Sequence, residues 1–476
     1  MSDTGREIKN IFQFSISTWV NFVIGFLSTF VLTRIFMPEV LGVINLFYTT
    51  VTTLMSFFCF GLDSALIRYF YITPNKENTS TFIFNLMIPS LLVIVFVGGV
   101  SVLFFGGGIA NFFLGRNESL LCLFVVLSVI DQVFLRYLNI IYRMETKIKD
   151  FTIQSIVINI VTKLSVILGV LIDASTPLYA LLFNVLTVSL VTFYYSIKQK
   201  KEWLPVNKPF DYSGYNDIFK FAFWSWFSMF ALQVYTLSSQ LIVNNRLDLH
   251  AVGIFTSAGI FSAVITVARG GFCTYWSAFM FKNYEVQDKQ YFIRRMHDVI
   301  LFLCVLFCAV LFSFRSIVYL FIGEEFRSSI VFFSLLVFFP LLQTVQETTG
   351  YGISIKNKNH ISTIVYSITL LLNVVLGLLL VNSHGLLGVA YANFISGVFS
   401  FCTISIIAQR MYPSIQNSFK SILGVGLLLI EGILPVYIGN DLLLAGLLLT
   451  IVIASTLLYK DVVRYIKEMI IKRITR

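Results

Sequence analysis

The stretch FIFNLMIPSLLVIVFVGGVSVLFF, residues 82–105, contains no charged side chain and no polar–apolar alternation. About 20 apolar residues are enough for a helix to cross the hydrocarbon core of a bilayer. Lipid offers no hydrogen bonds to the backbone, so a spanning segment must be a helix or a strand of a closed barrel. Barrel strands are shorter and alternate in polarity. This stretch therefore predicts a transmembrane helix, and its neighbours on both sides repeat the pattern.

Across all 476 residues the chain is 57% hydrophobic and 12% charged, against about 45–50% and 25% in soluble globular proteins. Spans are expected at 11–36, 40–62, 82–105, 119–141, 152–172, 178–197, 221–243, 251–276, 297–322, 329–350, 361–382, 386–408, 421–438 and 442–459. The fold class is thus an all-α polytopic membrane protein of about fourteen transmembrane helices. The run from Ile11 to Phe36 is too long for a cleavable signal and lacks a small-residue cleavage site, so it is expected to remain as the first span.

The net charge is +10, but the basic residues fall in short runs between apolar segments rather than along a stripe, which argues against nucleic acid. With a cytoplasmic N-terminus, inside segments collect 26 Lys or Arg and outside loops hold three, Arg116, Arg246 and Arg327. That asymmetry predicts both termini in the cytoplasm. The six cysteines lie in or beside apolar segments without a CxxC pair, and read as small core residues. No metal or cofactor site is expected.

Compared with itself at an offset near 209, the chain matches in several blocks. IFQF at Ile11 answers IFKF at Ile218, VLGVINLF at Val40 answers AVGIFTSA at Ala251, FFLG ending at Gly115 answers LFIG ending at Gly323, and VILGVLI at Val166 answers VVLGLLL at Val374. Tyr142, Lys147 and Lys149 likewise answer Tyr351, Lys356 and Lys358. Six spans per copy preserve orientation, so the copies are expected to be parallel repeats related by an axis along the membrane normal. The expected organisation is an N-terminal six-helix lobe over 1–200, a second over 201–410, two additional helices over 411–460, and a basic amphipathic cytoplasmic tail over 461–476, lying along the anionic inner leaflet.

The segments TRIFMPEVLGVINLF at Thr33, GLDSALIRYFY at Gly61, FIGEEFRSS at Phe321 and HGLLGVAYANFISG at His384 resemble the polysaccharide transporter family. Its members are O-antigen and capsule repeat-unit flippases of the multidrug, oligosaccharidyl-lipid and polysaccharide exporter superfamily. The resemblance covers nearly the whole chain. It implies a V-shaped pair of lobes, alternating access, and an undecaprenyl-diphosphate-linked oligosaccharide carried across the bacterial cytoplasmic membrane for surface polysaccharide assembly. It also implies polysaccharide polymerase and chain-length machinery as partners.

A charge at the bilayer centre costs roughly 2.5–3.5 kcal/mol on insertion scales, so such residues usually face a cavity or a partner. Lys163, central in its span, reads as a cavity residue facing diphosphate or sugar; the alternative is a structural pair with Asp131. Arg269 and Arg136 lie nearer the cytoplasmic side, where snorkelling competes with a substrate role. Arg34 and Arg315 sit near outer ends, where interfacial anchoring competes. Arg68 and Asp63 read either as an interface pair or as substrate contacts. Asp131, Glu347 and Glu431 are the candidates for a coupling ion or proton, with helix–helix hydrogen bonding as the alternative; Glu347 shares a face with Gln343. Asn159, Asn184, Asn373 and Asn393 read as interhelical glue.

A membrane-embedded polymerase or ligase would share the composition, but the longest expected outside loop, 106–118, has only Arg116 and Glu118 as charged groups and the first outside turn only Glu39, so paired carboxylates or a metal cluster are missing there. No GxxxxGK[ST] occurs, and the GGG at Gly106 reads as an outside turn rather than a phosphate cradle. A small-molecule antiporter of the same superfamily is the nearer alternative. Five basic intramembrane residues against three acidic ones favour an anionic substrate.

Overall fold

The computed structural model describes residues 3–70, 76–145, 147–170, 172–173, 175–205, 215–356 and 358–474, and these are helical apart from short connections. In chain order the elements begin α1 (Asp3–Ile35), α2 (Pro38–Phe58), α3 (Leu62–Tyr69), α4 (Lys76–Leu114), α5 (Ser119–Met144), α6 (Ile148–Val170), α7 (Pro177–Lys198), α8 (Lys200–Trp203), α9 (Asn216–Arg246) and α10 (Leu249–Ala258). They continue α11 (Ile260–Asn283), α12 (Gln287–Ser313), α13 (Arg315–Tyr319), a 3-10 segment Glu324–Val331, α14 (Phe333–Thr349), α15 (Tyr351–Ile355), α16 (Asn359–Met411), α17 (Ser418–Tyr437), α18 (Asp441–Leu458) and α19 (Lys460–Ile474).

Local chemistry explains the boundaries. Pro38 starts α2, where its missing N–H costs nothing. Gly115, at φ 68°, closes α4 by donating its N–H to the Asn111 carbonyl at 2.9 Å. Asn440 turns the chain sharply between α17 and α18, its Oδ1 accepting from the N–H of Leu442 and Leu443 at 3.0 and 3.2 Å.

Contacts divide the chain into two compact units, Met1–Thr256 and Ser257–Arg476. In the first, α2 packs against α4, α5, α7 and α9, while α6 lies against α1 and α7. In the second, α14 is central, packing against α11, α12, α16 and α17, and α12 also packs on α17 and α18.

Large apolar side chains face outward along these helices; Leu103 and Phe104 of α4 are 80% and 74% exposed. In water such a surface would aggregate, and in a bilayer it is the ordinary lipid contact. The chain is a multi-pass membrane protein. Among the described residues ten helices are long and apolar enough to cross, or eleven if the segment Glu324–Val331 and α14, bent by 64°, form one span.

That count is below the fourteen expected for identifiable reasons. The stretches 361–382 and 386–408 fall in one element, α16, interrupted at Gly385 (φ 56°, ψ −133°). In α1 (Asp3–Ile35) only the side chains of Trp19–Ile35 lie within the described residues, and that stretch alone is shorter than a span. The sequence of α9 is diluted by Ser, Gln, Tyr, Trp and Asn.

Two further expectations are corrected. The GGG at Gly106 is not a turn but part of α4, which runs on to Leu114. Its missing side chains let the reversing segment pass closely: a Cβ on Gly107 would stand 2.3 Å from Asn117 Oδ1. The expected 106–118 loop therefore shrinks to 115–118. Helix α12 begins ten residues before the expected start at 297, because hydropathy finds the apolar part of a helix and not its polar extension. In the tail, α19 is helical and Val462 is buried, with Asp461 paired to Lys420 at 2.9 Å. The side chains of Ile466, Met469, Ile470 and Ile474 lie outside the described residues.

Candidate functional site: polar clusters inside the helical units

In the first unit, Ser155, Asn159 and Lys163 fall four residues apart and so share one face of α6. Asn21 of α1 donates to Ser155 Oγ at 2.6 Å, and Asn159 donates to the Asn21 carbonyl and Oδ1 at 2.9 and 3.2 Å. One turn further, Lys163 Nζ lies 5.5 Å from the centre of the Tyr48 ring of α2. The Tyr48 hydroxyl is buried and has no hydrogen-bond partner among the described residues. The group therefore offers an ammonium, a phenol and amides along one stripe.

Asp131 does not pair with Lys163. It accepts from Ser189 of α7 at 2.5 Å, and no carboxylate of a described residue lies within ion-pair distance of Lys163. The other cations of this unit are placed differently. Arg136 donates through Nε and Nη2 to Asp63 Oδ2 at 3.1 and 3.0 Å, tying α5 to α3. Arg68 lies 4.4 Å above the Phe221 ring of α9, a cation–π contact, and not against Asp63. Arg34 is exposed at the end of α1. Between helices, Lys147 is held by Glu145 at 2.7 Å and Glu202 at 3.1 Å. Glu145 first, then Glu202, push its ammonium up to about 12, so it stays charged at physiological pH.

A close helix approach in this unit joins positions that the sequence repeat equates. A Cβ on Gly42 would lie 2.3 Å from the Leu249 carbonyl, and one on Gly253 would lie 1.9 Å from the Pro38 carbonyl. Three residues on, Asn45 donates to Thr256 Oγ1 at 2.8 Å, again 211 residues apart. Contacts of i with j matched by j with i are the signature of a two-fold relation. Further along α2, Phe57, Trp226 and Phe230 form an aromatic cluster, with Trp226 Nε1 donating to the Phe57 carbonyl at 2.7 Å.

In the second unit two candidates prove to be partners. Arg269 of α11 donates through Nη2 and Nε to Glu347 Oε1 at 2.8 and 3.0 Å, and through Nη1 to Gln343 Oε1 at 2.5 Å. The expected common face of Gln343 and Glu347 on α14 is what lets one guanidinium fork reach both. Arg315 is fixed by Asp441 at 2.9 Å and by the carbonyls of Pro435, Ile438 and Gly439, so it holds the turn between α17 and α18. Glu431 of α17 is fully buried, and neither carboxyl oxygen has a hydrogen-bond partner among the described residues.

Sequence reasoning did not single out several groups. His297 bridges Thr348 and Ser421 at 2.8 and 2.7 Å, wholly buried. Lys420 joins Asp298 at 3.2 Å and Asp461 at 2.9 Å. Asn21, Ser155 and Tyr48 complete the Lys163 cluster, and the four-residue spacing on α6 was the available signal for its stripe.

The family model described as "Polysaccharide biosynthesis protein" matches residues 8–269, more than half of the chain. Comparison with curated proteins returns no match. Among solved structures the chain resembles "Lipid II flippase MurJ, inward closed conformation", with a TM-score of 0.69 and 15% identity over 94% of this chain and 99% of that one. It also resembles an inward-facing multidrug resistance MATE family transporter of the MOP superfamily, at 0.58 and 14% over 82% and 95%. An outward-facing MATE family transporter matches at 0.55 and 15% over 84% and 95%. At these identities the likeness concerns the fold alone. By its sequence match the chain belongs to the polysaccharide biosynthesis protein family, and it is built on the fold shared by a lipid II flippase and the MATE exporters.

Proposed function

We propose that this protein carries an undecaprenyl-diphosphate-linked oligosaccharide repeat unit across the bacterial cytoplasmic membrane by alternating access, without catalysing a reaction. The observation that carries the reading is Lys163, an ammonium within a span, set beside the Tyr48 ring and held by no carboxylate of a described residue. A charge of that kind is expensive in lipid, and a passing diphosphate would offset the cost. A cationic drug would be repelled by it. The family supplies the link to polysaccharide, and the fold supplies precedent for lipid-linked cargo.

In this reading all fourteen helical stretches span, residues 1–200 and 201–410 are parallel six-helix lobes, 411–460 adds two spans, and both termini are cytoplasmic. The equivalence of Gly42 with Gly253 and of Asn45 with Thr256 supports the repeat. Arg34, Arg68, Arg136 and Arg269 remain substrate-facing candidates; the last two would have to exchange Asp63 and Glu347 for phosphate during the cycle. Of the ion-coupling candidates, Asp131 and Glu347 are hydrogen-bonded, and Glu431 has no partner among the described residues. The saccharide would pass to polymerase and chain-length machinery.

Deleting the gene should abolish surface polysaccharide and leave lipid-linked repeat units on the inner leaflet; a deletion that changes only drug tolerance rules the reading out. Within that assay, Lys163→Leu should keep near-normal protein levels while surface polysaccharide falls sharply, and Lys163→Arg should restore part of it by keeping the charge. Normal polysaccharide in a well-expressed Lys163→Leu strain removes the lysine from transport. For topology, a cysteine at Lys201 should react with impermeant maleimide only after the cytoplasmic face is opened. Labelling in intact cells contradicts the orientation.

A further inference from the structure

The end of the first unit away from the basic loops contains a cleft of about 670 Å³ between the 36–39 turn, the end of α4, and the α9–α10 connection. Ligand clefts commonly fall in this size range. Gly115 shapes it: at φ 68° it ends α4, and a Cβ there would come within 2.7 Å of Asn244 Oδ1. The lining includes Glu39, Asn111, Asn244, Asn245, Asp248 and His250, beside the exposed ring of Phe112.

The side-chain amides of Asn111, Asn244 and Asn245 and the imidazole of His250 have no partner among the described residues. Each amide both donates and accepts, as a sugar hydroxyl does, and each is free to exchange water for one. The two carboxylates are occupied. Glu39 accepts from Arg116 at 3.3 Å, and Asp248 Oδ1 caps α10 by accepting from the Ala251 N–H at 2.7 Å. Their engagement weighs against a metal site. No Lys or Arg is among the described lining residues, and the neighbouring Arg116 is paired with Glu39, so the cleft is not built for the diphosphate that would suit Lys163. An exposed aromatic ring flanking convergent amides matches the amphipathic faces of a pyranose.

We infer that this cleft is a saccharide-binding site on the outer side, taking the sugar portion of the cargo as it leaves the helical interior. The inference rests on the transport reading above. It separates the cargo's two chemistries, with charge recognition at Lys163 and hydroxyl recognition among Asn111, Asn244 and Asn245.

The test uses full-length protein in membranes holding lipid-linked repeat units tritiated in the sugar. Photoreactive p-benzoylphenylalanine is placed at Phe112, at Tyr48, or at Leu103 of the same α4 as a lipid-facing control. Mild acid then cleaves the sugar–phosphate bond. Label should remain on the Phe112 protein, because the cross-link is to sugar, and the Leu103 protein should lose any label it has. Asn111→Ala combined with Asn244→Ala and Asn245→Ala should reduce the Phe112 adduct about a hundred-fold, since three hydrogen bonds at roughly 1 kcal/mol each are lost together, without changing the Tyr48 adduct. A Tyr48 adduct with no acid-stable Phe112 adduct overturns the cleft and leaves the transport reading intact. An acid-stable Phe112 adduct indifferent to the triple substitution overturns the role of the amides. No adduct at either position overturns the transport reading as well.

Discussion

Gly253→Leu is expected to abolish surface polysaccharide while the protein still inserts. A Cβ at Gly253 would stand 1.9 Å from the Pro38 carbonyl, and the obstructing atom is backbone, so no side-chain rotation relieves the clash. The helices α2 and α10 must part, and the Asn45–Thr256 hydrogen bond at 2.8 Å is lost with them. Overpacking of this kind costs about 1–3 kcal/mol, enough to bias a conformational equilibrium strongly without preventing folding. If α2 and α10 close and open the outer side during transport, the substitution holds them apart. A cysteine at Asn45 should then react with impermeant maleimide from outside. Gly42→Leu should behave alike, since its Cβ would meet the Leu249 carbonyl at 2.3 Å. Gly99→Leu should be silent, since nothing lies within 4 Å. Unchanged export by Gly253→Leu at normal protein level is the outcome that removes this contact from the cycle.

Arg269→Leu should lower the amount of folded protein. The guanidinium supplies hydrogen bonds to Glu347 at 2.8 and 3.0 Å and to Gln343 at 2.5 Å, and the Glu347 side chain is only 16% exposed. Removing one partner of a buried pair typically costs about 3–5 kcal/mol because the other charge is stranded. Glu347→Gln added to Arg269→Leu should recover much of the stability, a coupling that thermal melting of the four proteins measures directly. Arg269→Lys should not substitute, since a point ammonium cannot span both acceptors. If Arg269→Leu instead melts normally and only transport is lost, the pairing with Glu347 is incidental and the arginine serves substrate.

Much of the fold is legible in the chain because hydropathy is a local sum. Residues 82–105 state their own environment, and the helix α4 contains them whole. Caps are similarly local, as at Pro38, Gly115 and Asn440. The GGG of Gly106–Gly108 misled for the opposite reason. Glycine permits both a turn and a close helix contact, and only the position of Asn117 against α4 distinguishes them.

The site divides along the same line. The sequence by itself determined which ionisable residues stand in apolar runs, among them Lys163, Arg136, Arg269, Asp131, Glu347 and Glu431, because that depends only on side chain and neighbours along the chain. It also placed Gln343 and Glu347 on one face, because helical periodicity is local. Partner choice was decided by tertiary structure alone. Arg269 meets a carboxylate 78 residues away, Arg136 one 73 residues away, and Asp131 a serine at a distance of 58, while Lys163 meets the Tyr48 ring rather than an acid. A side chain's identity fixes what it needs, but the packing rotation of each helix about its own axis fixes what it finds.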